Sequence, residues 1–473
     1  MTETSKKKLG IVSMTALVVG AIVGSGIFSL PQNMSEVAGP GPIIIAWIIT
    51  FMGMLTLTRI FQWLAINRPD IDDGAYGYAR AGFGDYLGFN AAWGYWISVW
   101  VGNVGYLVLL FSALGSFSTL DFFGEGNTAA ALVSGLVVLW TFHCFVLKGV
   151  RSAAFLNVVV TFAKMVPICL FILCVALAFR LETFQVDFWG GNALGSLTEQ
   201  VKNTMLYTVW VFLGVECAGV YASRAKNMQV VSQATMLGFF ITIALLVCVS
   251  VLSLGVVPQE ELSAMRNPSM AAVMKRAVGS WGEILINTGL IISVGGALLA
   301  WIMISAEMLY LAARGAKNTA PTVFGQLNAH GAPANAMWLT NALISLFLIV
   351  NHFNGTGYNI LIQLASSMAL IPYLLCAAFG LKLALKAEAR CRTLILITSL
   401  GTAYGFWLIY AGGMSFLLLS MILYMLGIPF YLTARYERGE RLFVSFEHVV
   451  VITCVVLLGM TALYTLFSGR FVI

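Results

Sequence analysis

Long apolar segments recur from one end of the chain to the other, and short polar connections separate them. Because a helix needs about 20 apolar residues to cross a membrane, each long segment predicts one span. The spans are expected at roughly 10–37, 41–66, 83–118, 128–147, 152–179, 203–222, 230–257, 283–313, 335–352, 356–384, 393–411, 413–434 and 446–468. The count is thirteen, or twelve if one of the last segments is re-entrant. The alternation typical of a membrane barrel does not occur, so the pattern predicts an all-α polytopic membrane protein.

Composition agrees with this fold class, because 60% of the residues are hydrophobic and only 10% are charged. That balance lies far from the composition of soluble domains. Lys6, Lys7 and Lys8 precede the first apolar segment, but no small-residue cleavage site follows it. We therefore interpret the segment as a span rather than a cleaved signal, and residues 1–9 as a cytoplasmic tail.

The connections divide into two alternating sets that differ in positive charge. One set carries 19 of the 26 lysine and arginine residues and the other carries six, with Lys164 left inside the fifth span. Positive residues are retained on the cytoplasmic side of a membrane. The pattern therefore predicts a cytoplasmic N-terminus, and it gives the net charge of +6 a topological meaning rather than a role in binding nucleic acid.

Glycine interrupts two of the predicted spans near their centres. The stretch VVGAIVGSGIFSLP in the first span contains Gly24, Ser25 and Gly26. The stretch TVWVFLGVECAGVYA in the sixth span contains Gly214 and Gly219 around a glutamate. About 190 residues and five spans separate the interruptions, so the second span has the opposite orientation.

Matching interruptions in two oppositely oriented halves are typical of inverted-repeat transporters. The sequence therefore predicts a first repeat over 10–179, a second repeat over 203–384 and appended helices over 393–473.

A helix that is interrupted at mid-membrane leaves N–H and C=O groups that lipid cannot satisfy, so they must face protein, water or a ligand. N–H groups at the start of a half-helix suit a carboxylate, and carbonyl groups at the end of one suit an ammonium. The carbonyls of Ile22, Trp210 and Leu213 precede the two interruptions. Together the interruptions predict a site for an α-amino acid, whereas either one alone is also typical of a glycine-rich helix contact.

Four motifs carry a resemblance to a known family: GAIVGSGIFSLP, WVFLGVECAGVYASRAKN, RNPSMAAVM and WGEILINTGLIISVGGALLAW. Over roughly residues 8–435 the chain resembles the amino acid–polyamine–organocation (APC) transporters, in the basic amino acid/polyamine antiporter branch that includes bacterial arginine–ornithine antiporters. The resemblance implies a LeuT-type five-plus-five inverted repeat with 12–13 transmembrane helices. It also implies exchange by alternating access, without covalent chemistry, in the bacterial inner membrane.

The resemblance also implies which residues contact substrate. The matching positions are Ile22, Gly24, Ser25, Gly26, Tyr95, Asn103, Trp210, Leu213 and Ser366. In related exchangers the glycine–serine stretch binds the carboxylate, the carbonyls bind the ammonium, and the position of Trp210 is an aromatic gate. This chain departs from the arginine–agmatine exchangers, which stack the guanidinium on a tryptophan after a glycine pair. Here Ala297 follows Gly295–Gly296, and Trp301 is the nearest candidate for cation stacking.

Three ionisable residues are predicted inside spans, where charge is costly and a functional role is the default hypothesis. Glu216 matches a gating, pH-sensing glutamate of the related exchangers, and the alternative is a hydrogen bond to a neighbouring helix. Glu307 either faces the cationic end of the substrate or pairs with a basic residue near the cytoplasmic mouth. Lys164 resembles the lysine that stands in for sodium in proton-dependent permeases, where it either titrates or only tethers the first and eighth spans.

The leading hypothesis is a secondary active antiporter that exchanges a cationic amino acid, arginine, for its catabolic product, ornithine. The alternatives are arginine–agmatine or histidine–histamine exchange, and a proton-coupled amino acid permease. An intramembrane enzyme is disfavoured, because none of the four histidines has a partner at catalytic or metal-ligand spacing. The expected partners are the small-molecule substrates and the lipid bilayer, with no nucleic acid, cofactor or metal. The sequence leaves open whether the chain forms a homodimer.

Overall fold

The fold was analysed in a computed structural model, which describes residues 10–71, 73–149, 154–215, 228–315, 317–355, 357–387, 391–441 and 446–468. Every regular element in these ranges is a helix, and no strand occurs in them. The all-α class that the sequence predicts is therefore confirmed. Glu216, which the sequence predicts as a gating residue, lies outside the described residues.

Eighteen α-helices are described in these ranges. They are α1 Ile11–Ile22, α2 Leu30–Ser35, α3 Pro40–Asn67, α4 Gly74–Phe83, α5 Asp85–Leu114, α6 Ala129–Leu147, α7 Ala154–Ala178, α8 Leu181–Gln185, α9 Leu197–Phe212, α10 Met228–Ser253, α11 Gln259–Ser263, α12 Ser269–Val278, α13 Ser280–Ala313, α14 Ala334–Asn354, α15 Tyr358–Lys386, α16 Arg392–Ala411, α17 Gly413–Glu437 and α18 Phe446–Phe467.

Ten of the described helices are long and apolar enough to cross a membrane: α3, α5, α6, α10 and α13 to α18. Two further apolar helices are shorter, namely α1 and the Ala163–Ala178 part of α7. Each of the thirteen segments predicted from the sequence contains helix, although the 203–222 segment is described only as far as Val215. The chain is a multi-pass membrane protein.

The third predicted span, roughly 83–118, corresponds to α5, Asp85–Leu114, and a separate short helix, α4, ends just before it at Phe83. Gly84 has a φ of +89°, a conformation that residues with a side chain rarely adopt, so the chain turns there. Arg80 Nε donates to Asp85 Oδ1 at 2.8 Å and holds the turn closed.

Helix α5 forms the centre of the molecule. In its most apolar window, 94% of the residues are buried inside the protein. It packs mainly against α15 and α13. The indole of Trp96 donates to Thr340 Oγ1 at 2.9 Å, and the indole of Trp93 donates to the Leu423 carbonyl at 2.9 Å. These bonds satisfy two polar groups that lipid could not satisfy. Helix α5 is therefore a fixed wall against which the other spans are arranged.

The connections rich in arginine contact one another, as expected if they lie on one face of the membrane. Arg80 Nη2 donates to the Lys317 carbonyl at 2.6 Å, and Arg314 pairs with Asp73 at 2.5 Å. These contacts join connections that are far apart in the sequence. We call this side the arginine-rich face, defined by residues 68–71, 73, 314–315, 317–333 and 438–441.

The other set of connections also forms one face. The N–H of Arg180 donates to the Gly255 carbonyl at 2.8 Å, and Gln259 Nε2 donates to the Ser35 carbonyl at 2.6 Å. We call this side the arginine-poor face, defined by residues 36–39, 115–128, 179–196 and 254–279. The grouping agrees with the alternation of connections that the sequence predicts.

A glycine contact between α3 and α16 generates a prediction on stability. A Cβ added at Gly53 would lie 2.3 Å from three ring atoms of Tyr404, which is itself buried. We expect Gly53→Ala to cost about 1–3 kcal/mol of stability through overpacking. Thermal unfolding of the purified protein in detergent measures the effect.

The matched control is Gly295→Ala, at a helical glycine with no atom within 4 Å of the added Cβ. This variant should melt at or above the wild-type temperature, since alanine favours helix. Equal losses in the two variants would contradict the packing argument.

Candidate functional site

The first span is interrupted where the sequence predicts a break. Helix α1 ends at Ile22, a short 3₁₀ helix covers Gly26–Phe28, and α2 begins at Leu30. Val23 has φ −71° and ψ +90°, which is extended rather than helical. The last carbonyls of α1 therefore cannot bond to a following turn of helix.

Lys164 of α7 satisfies part of this interruption. Its side chain is only 4% exposed, and Nζ donates to the Gly20 carbonyl at 2.5 Å and to the Val23 carbonyl at 2.8 Å. Both bonds go to the first span. They tie α7 to the first span, while a bridge from Lys164 to the eighth span and a titrating role both stay predictions.

The ends of α1 and α9 meet. Helix α9 ends at Phe212, and Leu213 leaves the helical conformation with ψ +128°. Gly214 follows with φ +107°, and a Cβ added there would lie 2.8 Å from the Ala21 carbonyl oxygen. Position 214 requires glycine for two reasons: the positive φ disfavours any side chain, and a side chain would collide with the backbone at the end of α1. The two interruptions predicted 190 residues apart are thus in contact.

A cavity lies at this meeting point, between α1, α5, α9 and α13. The space in it that is open to the centres of water-sized molecules is about 20 Å³, little more than one water molecule needs. The residues that line it are Ala21, Ile22, Gly24, Gly26, Tyr95, Ser98, Val99, Gly102, Asn103, Tyr106, Trp210, Val211, Leu213 and Trp301. Eight of the eleven residues predicted to contact substrate are among them.

Three predicted residues do not line the cavity. Ser25 is buried between two residues that do. Ser366 is buried on α15, and its hydroxyl donates to the Ile362 carbonyl at 2.7 Å. Glu307 is half-buried on α13, about 9 Å along the helix from Trp301 toward the arginine-rich face. Contact of Glu307 or Ser366 with substrate stays a prediction.

Sequence reasoning missed most of the α5 wall of the cavity. Val99, Gly102 and Tyr106 line it together with Tyr95 and Asn103. The spacing of 95, 99, 102 and 106 follows one face of a helix, so a helical projection around Asn103 predicts this wall.

Trp210 lines the cavity and is tightly surrounded. A Cβ added at Gly26 would lie 2.7 Å from two atoms of its indole, and a Cβ added at Gly102 would lie 2.9 Å from the far edge of the ring. Tyr106 meets the indole edge to face, with ring centroids 5.8 Å apart. The indole therefore occupies space that a side chain at position 26 or 102 would fill, which explains why both positions are glycine.

Asn103 supplies polar atoms that the described residues leave unpaired. Its side chain is fully buried, and neither Nδ2 nor Oδ1 finds a hydrogen-bond partner in the described part of the chain. The neighbouring hydroxyl of Ser98 is also unpaired there. An unpaired buried polar group costs about 1–3 kcal/mol, so these atoms favour a polar occupant of the cavity.

The arrangement can hold a small zwitterion with a cationic side chain. The start of the 3₁₀ helix at Gly26 offers N–H groups for a carboxylate, and the end of α1 offers carbonyl groups for an ammonium. Trp210 and Trp301 offer aromatic faces, and Asn103 offers an amide. The described lining residues include no nucleophile with a neighbouring base, so the cavity favours binding over covalent chemistry.

Comparison with known proteins places this geometry in context. A model described as amino acid permease matches residues 9–458. The arginine/ornithine antiporter of Pseudomonas aeruginosa is 47% identical over 483 residues, covering 99% of each chain. The putative arginine/ornithine antiporter of Escherichia coli K12 is 43% identical, over 98% of this chain and 99% of the relative. The arginine/agmatine antiporter of Chlamydia abortus is 40% identical, over 98% of this chain and 97% of the relative. The resemblance carried by four short motifs thus extends over nearly the whole chain.

The Lys164 tether generates a prediction. In Lys164→Met the side chain keeps its length but donates no hydrogen bond, so the Gly20 and Val23 carbonyls lose their partner. We expect a loss of about 1–3 kcal/mol for each carbonyl left unpaired, seen as a lower unfolding temperature of the purified protein.

Lys148→Met is the matched control, since Lys148 is exposed at the end of α6 and should tolerate the change. A Lys164→Met protein that melts like the wild type, and differs only in the pH profile of transport, would instead support a titrating lysine.

Proposed function

The chain belongs to the amino acid permease family of the APC superfamily and is a transporter rather than an enzyme, and we propose that it exchanges arginine for ornithine across the membrane by alternating access. The observation that carries this proposal is the cavity at the meeting point of the α1 and α9 ends, with Asn103 and two tryptophans in its wall. Two relatives that match over nearly their full length are named as arginine/ornithine antiporters, one of them as putative.

The proposed binding mode uses backbone for the part that all amino acids share. The N–H groups around Gly24–Gly26 bind the carboxylate, and the carbonyls of Ile22, Trp210 and Leu213 bind the α-ammonium. Asn103 and the aromatic faces then contact the cationic end of the side chain.

The electrostatics of the cavity support exchange of two cations. None of the described lining residues carries a charged side chain, so no fixed carboxylate there selects one cationic head group. Arginine and ornithine carry the same charge, and their one-for-one exchange moves no net charge. An aromatic and amide site accommodates a guanidinium and an ammonium alike.

The same reasoning extends to topology. We infer that the arginine-rich face is cytoplasmic, that the N-terminus lies on that side, and that the membrane is the bacterial inner membrane. We also infer two inverted repeats over 10–179 and 203–384 with appended helices over 393–473. The opposite directions of α1 and α9 and the contact of their ends support this division. Glu216 is proposed to couple gating to protonation.

Arginine–agmatine exchange is the second candidate, because relatives 39–40% identical to this chain carry that name. Agmatine lacks the carboxylate that Gly24–Gly26 would bind. Bound agmatine would therefore leave those N–H groups without a carboxylate partner, whereas bound arginine or ornithine would not.

Transport by the purified protein in liposomes tests the proposal. Labelled arginine should enter vesicles loaded with ornithine and should not accumulate in vesicles without internal substrate, even under a pH gradient. Uptake that requires internal agmatine and ignores ornithine would favour the second candidate. Accumulation in empty vesicles under a pH gradient would identify a proton-coupled permease.

The aromatic wall generates a prediction on Trp210. We expect Trp210→Ala to weaken arginine binding by roughly tenfold or more, because a desolvated cation–π contact contributes about 2 kcal/mol. Isothermal titration in detergent and exchange in liposomes measure the effect.

The control is Trp407→Ala, a tryptophan on α16 that does not line the cavity. That variant should bind and exchange arginine as the wild type does. Near-normal arginine binding by a folded Trp210→Ala protein would contradict the site.

A further inference from the structure

The motif RNPS, at Arg266–Ser269, lies outside the cavity and yet contacts the interrupted first span. It connects α11 to α12 on the arginine-poor face. We call these four residues the clasp. The hydrogen bonds of the clasp fall into two groups, one to α5 and its following connection and the other to the segment around α2 and to Asn359 of α15.

Arg266 fixes the clasp to the central helix. The Arg266 guanidinium donates to Ser112 Oγ at 3.1 Å, to the Ser112 carbonyl at 2.6 Å, and to the Gly124 carbonyl. The Ser112 hydroxyl in turn donates to the Asn267 carbonyl. A cation that bonds to carbonyls at the C-terminal end of α5 is also favoured by the helix dipole. Arg266 thus anchors the clasp to the buried central helix.

Asn267 ties the clasp to α2. Its Nδ2 donates to Gln32 Oε1 at 2.8 Å and to Asn359 Oδ1 at 3.1 Å. Asn359 Nδ2 donates to the same Gln32 oxygen at 3.0 Å. Asn33 Nδ2 of α2 also donates to Asn359 Oδ1, at 2.9 Å. Four amides from the clasp, α2 and α15 therefore share one hydrogen-bonded cluster.

Ser269 ties the clasp to the backbone of the first span. The N–H of Gln32 donates to Ser269 Oγ at 3.0 Å, and the Ser269 hydroxyl donates to the Ser29 carbonyl at 3.2 Å. Ser269 and Ser29 are both fully buried. These bonds are made just after the 3₁₀ helix that borders the cavity, so they hold the second half of the interrupted span in place.

Helix α2 has only six residues, too few to be stable without tertiary contacts. It lies between the cavity and the arginine-poor face, and non-helical residues Val23–Ser25 precede it. Helix α2 packs on α10, α11 and α12, so any movement of α2 relative to these helices strains or breaks its bonds to the clasp.

We propose that Arg266–Ser269 is a clasp that holds α2 closed over the cavity, with Arg266 as the positioning residue that keeps Asn267 and Ser269 in register with Gln32. This inference rests on the proposed alternating access, and on the arginine-poor face being extracellular. The strength of the clasp then sets the fraction of molecules that are open to the outside.

The consequence for transport has a definite sign. When only a fraction of the molecules is open to the outside, the apparent affinity for external substrate falls by that fraction. Weakening the clasp raises the open fraction, so the apparent KM for external arginine decreases while the apparent KM for internal substrate does not. A purely structural role would lower the amount of active protein and leave both KM values unchanged.

The test uses Arg266→Ala, Asn267→Ala and the conservative Arg266→Lys. Hydrogen exchange of the full-length protein in detergent, without arginine, should become on the order of tenfold faster in α2 for the two alanine variants, because hydrogen bonds to a charged group or a buried amide are lost. Exchange in α5 should stay as slow as in the wild type. Arg266→Lys should give an intermediate rate, since lysine keeps the charge but not the fork of donors.

Arg276→Ala is the matched control, because Arg276 is exposed on α12 in the same connection and carries the same charge. This variant should leave the rate of hydrogen exchange in α2 unchanged. In liposomes, the external KM for arginine should fall several-fold in the alanine variants relative to the internal KM.

The proposal would be overturned if hydrogen exchange in α2 stayed unchanged in the two alanine variants, or if it became faster in α2 and α5 to the same extent. An unchanged ratio of external to internal KM would also overturn it. Hydrogen exchange needs no transport, so the two proposals can fail separately. If the wild type does not exchange arginine for ornithine while α2 responds as expected, the proposed function fails and the closing of α2 by the clasp stands.

Discussion

The structure depends on one constraint, that backbone polar groups at membrane depth must find a partner inside the protein. Between α1 and α2 the chain breaks this rule locally, and two features compensate for the break. Lys164 donates to the Gly20 and Val23 carbonyls, and Gly214 lets the end of α9 come against Ala21. The remaining dipoles face the cavity rather than lipid. An interruption that would be costly alone becomes the wall of a polar site.

The cavity combines these dipoles with aromatic rings and one unpaired amide. Trp210 fits there only because Gly26 and Gly102 leave room for its indole. Among the described residues the wall has no charged side chain, so under the proposed function cations of different shape would bind there without a fixed opposite charge to hold one of them too firmly for release. This property suits an exchanger, which must bind and release on both sides of the membrane.

Both faces join segments that are far apart in the sequence. On the arginine-rich face, the ion pair Arg314–Asp73 joins the end of α13 to the start of α4. On the arginine-poor face, Asn267 and Ser269 bond to Gln32 of α2. The carboxylate of Glu36, at the end of α2, also accepts hydrogen bonds from Asn359 and Tyr207. Hydrogen bonds to charged groups, which are stronger than neutral ones, therefore occur on both faces.

The sequence by itself determined the all-α membrane class, the positions of the spans and the interruption in the first of them, because each rests on local composition. It also marked eight of the residues that line the cavity: Gly24, Gly26 and the carbonyl-bearing residues beside the interruptions follow from the interruptions, and Tyr95, Asn103 and Trp301 follow from the resemblance to a known family. Only the tertiary structure decided that the Ser366 hydroxyl bonds to its own helix and that Val99 and Gly102 belong to the cavity wall. It alone brought Arg266–Ser269 onto Gln32 across more than 230 residues. Such contacts depend on which helix faces pack together, and periodicity along one segment carries no information about its partner.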